Sequence, residues 1–229
     1  KQQANAEPAA ALSAAAKLSD STLGAAAIFL SPFLTVEEVF TALEFAQKVM
    51  GFDLAKGSDR NSIAMQVVRR NLSDLEKILI SPDYAPNARA MNLFGLGIER
   101  DDWREVLESN YRSQLSKLAQ GNLKRVLVVG EGAIREEELT DAVRGGLANA
   151  AVSVGILAGA SSVATGCQVI LPGRTVNEKS GVFVNRDLRF QRLTRLLDAP
   201  SGSQPEWVWL KKIASAAKKS VLADAVNDE

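Results

Sequence analysis

Val126-Leu127-Val128-Val129-Gly130 is the stretch that decides the fold, because an unbroken apolar run ends there in a glycine. A strand with one wet face alternates apolar and polar residues, whereas a parallel strand covered on both faces is apolar throughout. The stretch therefore predicts an inner strand of a parallel sheet.

Further strand and helix patterns alternate on both sides of this stretch. The predicted strands are Gly24–Leu30, Lys77–Ile80, Ala150–Leu157, Cys167–Leu171 and Val182–Val184. The predicted helices are Pro8–Leu18, Val36–Met50, Ser58–Leu72, Asp101–Gln120, one opened by Glu136-Glu137-Glu138, and Glu206–Ser220. Thr35 and Glu38 have the spacing of a capping box. Helical spacing points Ile63, Ala142 and Trp207 inward.

Strands that alternate with helices predict an α/β protein. We expect a Rossmann-like parallel sheet with helices on both faces, followed by a short C-terminal β-hairpin and a terminal helix. The α/β domain should span residues 24–220, after an Ala-rich helix or linker at 1–23 and before a loose tail at 221–229. Since the chain starts at Lys1 rather than Met, we expect it to be a segment of a longer polypeptide.

Composition excludes several classes of function. The 27 basic and 27 acidic residues cancel, so the overall charge does not favour nucleic acid or an acidic membrane as partner. No apolar run reaches the ~20 residues that span a bilayer, which predicts a soluble intracellular protein. Histidine is absent and Cys167 is the single cysteine, which excludes the usual zinc sites, Ser-His or Cys-His pairs, disulfides and four-cysteine Fe–S clusters. In its apolar strand, Cys167 should be an inert hydrophobe.

A Gly-rich turn, Gly130-Glu131-Gly132-Ala133-Ile134-Arg135, follows the central strand. Such a turn can present backbone N–H groups to a phosphate. However, Arg135 takes the place of the third glycine of the dinucleotide fingerprint, and no acid lies between Asp141 and Glu178 to bind a ribose. The turn is therefore interpreted as a tight strand-to-helix connection rather than an NAD site.

A basic segment runs from Arg174 to Arg195. Its members are Arg174, Lys179, Arg186, Arg189, Arg192 and Arg195, against Glu178 and Asp187. Three interpretations are open: a solvated or internally ion-paired surface, a pocket for an anionic group, which suits the Arg fork, and a protein interface. Few aromatic residues accompany the cations, so nucleic-acid stacking fits poorly.

The C-terminal half carries a family pattern. Gln168 to Pro172 matches an Ala-Asp-Val-Val-Leu-Pro strand end, and Pro205-Glu206-Trp207 matches a helix-opening Pro-Asp-Trp. A further pattern, Glu-x-x-Gly-Thr-Phe-x-Asn-x-x-x-Arg-x-Gln, is matched by Glu178, Gly181, Phe183, Asn185, Arg189 and Gln191. Together with the turn after Val129, this part of the chain resembles the C-terminal part of the molybdopterin oxidoreductase domain. It is most similar to the version carried by the molybdopterin-type subunit of NADH-quinone oxidoreductase, complex I.

The chain also departs from that pattern. The family's Thr-Glu-Thr-Ala segment, which lies near the pterin in its active members, is here Ser161-Ser162-Val163-Ala164. The family's Asp is Gln168, its Thr is Val182, and the Gly that often precedes the Arg is Leu188.

The resemblance implies a cofactor-free structural segment of the molybdopterin-type subunit in the peripheral arm of an NADH-quinone oxidoreductase. The segment would be non-catalytic by itself, and cytoplasmic, peripheral to the inner membrane through the complex. It would support Fe–S-bearing parts by contact with other subunits or the rest of its own polypeptide, without nucleic acid or membrane insertion. Arg189 and Gln191 would then hold the hairpin to the sheet.

An alternative implied by the same resemblance is a fragment of an active molybdopterin-dependent enzyme of the formate dehydrogenase type. Ser161, Ser162, Asn185, Arg189 and Gln191 would then line the polar rim of a molybdopterin guanine dinucleotide. Arg189 would lie on a phosphate or a ring carbonyl. A third interpretation is a free-standing adaptor that binds protein.

Overall fold

A five-stranded parallel sheet forms the centre of the protein. The computed structural model describes residues 7–66, 87–94, 103–159, 161–185 and 187–221. The sheet has the order β2-β1-β3-β4-β5, and β6 and β7 form a separate antiparallel hairpin. The strands are β1 Ala26–Leu30, β2 Ile63–Met65, β3 Arg125–Val129, β4 Val152–Leu157, β5 Val169–Pro172, β6 Gly181–Val184 and β7 Phe190–Leu193.

The central stretch of the sequence lies where its pattern predicts. Val126 pairs with Ala27 of β1 on one side and with Ser153 of β4 on the other, in parallel register. All five residues of β3 are buried. The continuous apolar run is thus explained by burial on both faces.

Helices cover both faces of the sheet. They are α1 Pro8–Ala15, α2 Val36–Lys48, α3 Gly57–Arg60, α4 Ala88–Leu93, α5 Trp103–Ala119, α6 Asp141–Asn149 and α7 Glu206–Ala216. One core joins the sheet to α1, α2 and α7, and a second joins its opposite face to α5 and α6. The predicted α/β class, the hairpin and the terminal helix are confirmed.

The first turn of α2 forms as the sequence predicts. Thr35 Oγ1 accepts from Glu38 N at 3.3 Å, and Glu38 Oε2 accepts from Thr35 N at 2.8 Å. These reciprocal bonds satisfy two amides that a helix start leaves without partners.

The helix predicted over Ser58–Leu72 is wrong. α3 ends at Arg60, and Ile63 belongs to β2, where it pairs with Ile28 of β1. The reason is tertiary: an existing strand edge supplies backbone partners to a short apolar run whose spacing also suits a helix. Val67, Val68 and the strand predicted at Lys77–Ile80 lie outside the described residues.

Two smaller predictions on helices are also wrong. Glu136–Glu138 forms a separate 3₁₀ turn, and α6 starts at Asp141 because Thr140 caps it by accepting from Val143 N. This start leaves Ala142 exposed. In α7 the half-buried residue is Trp207, whereas Trp209 packs into the core and donates from Nε1 to Pro172 O at 2.7 Å.

Within the described ranges, no helix has the length and apolar character needed to cross a membrane.

Candidate functional site

A cleft of about 670 Å³ opens above the carboxyl ends of β1 and β3. Its floor includes Ser31, after β1, and Gly130 to Gly132, after β3. The order of the strands reverses between β1 and β3, since the chain goes from β1 to β2 on one side and then to β3 on the other. Ligands of open α/β sheets bind at such a switch point, so this cleft is the candidate site.

The floor is held together across the switch point. Ser31 Oγ donates to Glu131 O at 2.5 Å and accepts from Phe33 N at 3.1 Å. Gln66, after β2, donates from its side-chain amide to Gly132 O. The two turns are therefore linked by side chains and present a fixed surface.

The segment from Arg174 to Lys179 forms the opposite wall. It makes its own capping box, in which Glu178 Oε2 accepts from Thr175 N at 2.9 Å. Arg174 lines the cleft and donates weakly to Ser203 O at 3.4 Å, while its Nε is buried without a partner among the described residues.

A buried ion cluster closes one end of the cleft. Lys179 Nζ lies 2.7 Å from Glu38 Oε2 and 3.1 Å from Glu206 Oε2. The side chains are at most 4% exposed. The cluster joins the segment before the hairpin to the first turns of α2 and α7.

The charges of the cluster divide unequally. Burial, together with the neighbouring charge of Glu38, raises the pKa of Glu206 well above its ordinary value. Burial also opposes ionisation of Glu38, but the Lys179 charge and hydrogen bonds from Glu206, Lys179 and Thr35 outweigh it and lower the pKa. The pKa of Lys179 is raised, because its two carboxyl neighbours outweigh the effect of burial. The cluster thus holds one ammonium, one carboxylate and one carboxylic acid.

Arg135, at the third-glycine position of the turn, belongs to a different polar network. Its guanidinium donates to Glu108 Oε2 at 3.1 Å, Glu138 Oε1 at 3.2 Å and Gln66 Oε1 at 2.5 Å. The same group stacks on the Tyr111 ring at 5.4 Å. Arg135 is therefore engaged on the α5 side of the sheet, and it is absent from the described lining of the cleft.

The basic segment divides among several surroundings. Lys179 is internally paired and Arg174 lines the cleft, whereas Arg189 and Arg192 are exposed. Arg195 pairs with the exposed Asp198 at 3.4 Å. No single pocket collects the cations whose positions are described.

The structure separates the five residues proposed for a pterin rim. Ser161 and Ser162 follow β4, where Ser162 Oγ donates to Glu136 at 3.1 Å and Ser161 Oγ is buried without a partner among the described residues. The other three, Asn185, Arg189 and Gln191, lie on the hairpin. None of the five belongs to the described lining of the switch-point cleft.

The expectation that Arg189 and Gln191 hold the hairpin to the sheet is wrong, since both are exposed. The attachment is made along β6 instead. Val182 N donates to Glu37 Oε2 at 3.1 Å, and Val184 N donates to Asn87 Oδ1 at 2.8 Å. Asn87 in turn donates to Leu34 O at 2.7 Å, which connects the hairpin to the loop after β1.

A close approach explains the glycine that opens β6. A Cβ on Gly181 would lie 2.6 Å from Thr35 Cγ2, closer than real Cβ atoms come to such a neighbour. The start of the hairpin is therefore pressed against the cap of α2, next to the ion cluster.

Redox and metal chemistry find little support in the described residues. No cluster of three or more metal-ligating side chains occurs there. Burial raises the pKa of Cys167 to about 12, which disfavours its thiolate.

The cleft does not fit an anionic dinucleotide. Its lining includes Glu131, Glu178 and Glu206 beside only two cations, Arg174 and Lys179. Lys179 is already neutralised by Glu38, and the Arg135 guanidinium is engaged elsewhere. A pyrophosphate placed above the turn would face the Glu131 side chain without a free lysine to compensate.

Comparisons with known proteins agree with the fold. The family model described as "Molybdopterin oxidoreductase" matches residues 3–216. The chain is also similar to F420-dependent formate dehydrogenase 2 subunit alpha of Methanococcus maripaludis, with 39% identity over 46 residues. That similarity covers 20% of this chain and only 7% of the relative.

Proposed function

Because this chain belongs to the molybdopterin oxidoreductase family, we propose that it is a cofactor-free structural segment of the molybdopterin-type subunit of an NADH-quinone oxidoreductase, complex I. It would lie in the peripheral arm, on the cytoplasmic side of the inner membrane, and support Fe–S-bearing parts and neighbouring subunits. The Glu178–Gln191 pattern supports the choice of complex I.

The observation that carries the cofactor-free role is the buried cluster of Lys179, Glu38 and Glu206. A lysine at the mouth of a switch-point cleft could bind a phosphate, but here two carboxyl groups of the same chain surround it. Its charge is used to join the hairpin segment to α2 and α7, which is a structural task. The proposed role follows from this use of the family scaffold.

Purification of the full-length protein from its native host under mild conditions tests the proposed assembly. The proposal predicts that a tagged copy co-purifies with Fe–S subunits and with NADH:quinone oxidoreductase activity. An untagged strain is the control for adventitious binding. Co-purification with formate-oxidising activity, and without NADH oxidation, would contradict the proposal.

The second candidate is a contribution to pterin dinucleotide binding in a formate dehydrogenase. It is favoured by the similarity to the Methanococcus maripaludis subunit and by the unpartnered Ser161 hydroxyl. Under this candidate, Arg189→Ala would remove a charge-assisted hydrogen bond worth about 1.5–3 kcal/mol and weaken cofactor retention. Under the structural role, Arg189→Ala leaves pterin content unchanged, because none is bound.

A further inference from the structure

The hairpin has one used edge and one unused edge, and the pairing pattern tells which residues lie on each. In an antiparallel pair, the backbone groups of successive residues point alternately toward the partner strand and away from it. Asn185 N donates to Arg189 O at 3.1 Å, so this pair points inward. Counting back through the register, Val184 with Phe190 and Val182 with Arg192 point outward.

The outward groups of β6 are used inside the protein. The Val182 and Val184 amides donate to Glu37 and Asn87, as described above. On β7, by contrast, the outward N–H and C=O groups of Phe190 and Arg192 have no hydrogen-bond partner in the part of the chain that the structure describes. β7 is therefore an open strand edge, which is a template for pairing with another chain.

The side chains around this edge are apolar and basic. Phe190 is 64% exposed and Leu196 is 75% exposed, and Leu188 and Leu197 are also exposed. Residues 186–197 contain four arginines and one aspartate, although the whole chain has no net charge. An exposed apolar edge with a local positive charge differs from an ordinary solvated surface.

The edge is ordered without a partner. Asn185 Oδ1 accepts from the amides of Asp187 and Arg189, each at 2.9 Å, which fixes the tip of the hairpin. Beyond β7, the amides of Leu196 and Leu197 both donate to Asn177 O at 2.9 Å. Binding at a surface that is already ordered costs less conformational entropy.

We infer that the outer edge of β7 binds an extended, acidic segment of a partner protein as an added strand. The backbone of Phe190 and Arg192 pairs with that segment, Phe190 and the neighbouring leucines bury its apolar residues, and Arg189 and Arg192 pair with its carboxylates. The inference deepens the structural role proposed above and rests on it. Pairing with β7 of a second copy is disfavoured, because it would bring arginines of both strands close together.

Amide hydrogen exchange at single-residue resolution tests the strand addition in the full assembly purified from its native host. The inward amides of Gln191 and Leu193 are the internal control, since the hairpin protects them with or without a partner. The outward amides of Phe190 and Arg192 should exchange on the order of 100-fold more slowly than unstructured amides. Exchange of these two at unprotected rates, beside protected control amides, would overturn the inference.

The partner's chemistry is tested by a photoreactive phenylalanine analogue in place of Phe190, with the same analogue at the exposed Phe40 of α2 as control. A cross-link at position 190 to a peptide rich in Asp and Glu, reduced at least about tenfold by Arg189→Glu with Arg192→Glu, supports the inference. Cross-links to a second copy, to lipid or to nucleic acid, or no more product than at position 40, would overturn it.

The two proposals fail separately. Molybdenum or tungsten with a pterin dinucleotide in the purified assembly would refute the cofactor-free role without changing the exchange of the β7 amides. Unprotected amides at Phe190 and Arg192 would refute the strand addition without adding a cofactor.

Discussion

At the scale of single residues, the buried Lys179 has the largest influence on the site. Its ammonium is the one charge that compensates two carboxyl groups from α2 and α7. Glu38 is recognisable in the sequence as a capping-box residue, but its ion-pair partner is 141 positions away along the chain. Local patterns cannot predict such a pair, since the fold brings the partners together.

Replacement of Lys179 by Met should lower the free energy of unfolding by about 3–5 kcal/mol, because it leaves two buried carboxyl groups without a cation. The matched control is Lys48→Met, which removes an exposed lysine that lies 2.5 Å from Glu44. Exposed pairs at this helical spacing contribute about 0.3–0.5 kcal/mol. Urea unfolding at pH 7 measures both, and equal losses would contradict the role of burial.

Glu206→Gln should change how stability depends on pH. The folded-state pKa of Glu206 is raised from 4.5, so its contribution to stability is fully present below pH 4.5 and is lost as pH rises through the folded value. The wild-type advantage over Glu206→Gln in free energy of unfolding should therefore shrink from pH 4.5 upward. Urea titrations at a series of pH values measure it, and an advantage that grows with pH would show that Glu206 is ionised.

Leu188 carries backbone strain at the tip of the hairpin. Its φ is +60°, a left-handed conformation that costs an L-residue about 1–2 kcal/mol. Leu188→Gly should relieve this strain, and after the backbone entropy of glycine the gain is about 0.5–1 kcal/mol. Leu188→Ala keeps the Cβ and should bring no gain. Thermal unfolding of the two variants separates strain from loss of the side chain.

At the scale of elements, the sequence predicts well what local periodicity determines. The continuous apolar runs of β1, β3 and β4 and the capping box of α2 are found where the pattern places them. β2 is missed, because three residues carry too little periodicity and become a strand only beside β1. For the candidate site, the sequence identifies the turn after β3 but not the cluster that closes the cleft, nor Asn87, which joins the hairpin to the loop after β1.

The contact between α5 and α6 yields a prediction from two adjacent glycines. A Cβ on Gly146 would lie 2.0 Å from Leu118 O, whereas a Cβ on Gly145 meets nothing within 4 Å. Gly146→Ala should therefore force the helices apart and cost about 1–3 kcal/mol. Gly145→Ala should stabilise the protein by about 0.5–1 kcal/mol through its better helix propensity. Urea unfolding compares them, and effects of the same sign would contradict the packing of α5 on α6.

At the scale of the whole molecule, a family scaffold for binding a dinucleotide keeps its sheet and its switch point. The charges around the cleft, however, are engaged within the chain: Lys179 with Glu38 and Glu206, and Arg135 with Glu108 and Glu138. The hairpin, which carries the most recognisable family pattern, faces outward along β7. This arrangement suits a part that connects neighbours rather than one that holds a cofactor.

The measurement that tests the cofactor-free role most directly is the metal and pterin content of the assembly purified from its native host. Molybdenum, tungsten and pterin dinucleotide are quantified per copy of this chain, with a molybdoenzyme from the same host as positive control. The proposed role predicts none of the three above the level of an untagged control preparation. One pterin dinucleotide with its metal per copy would contradict it.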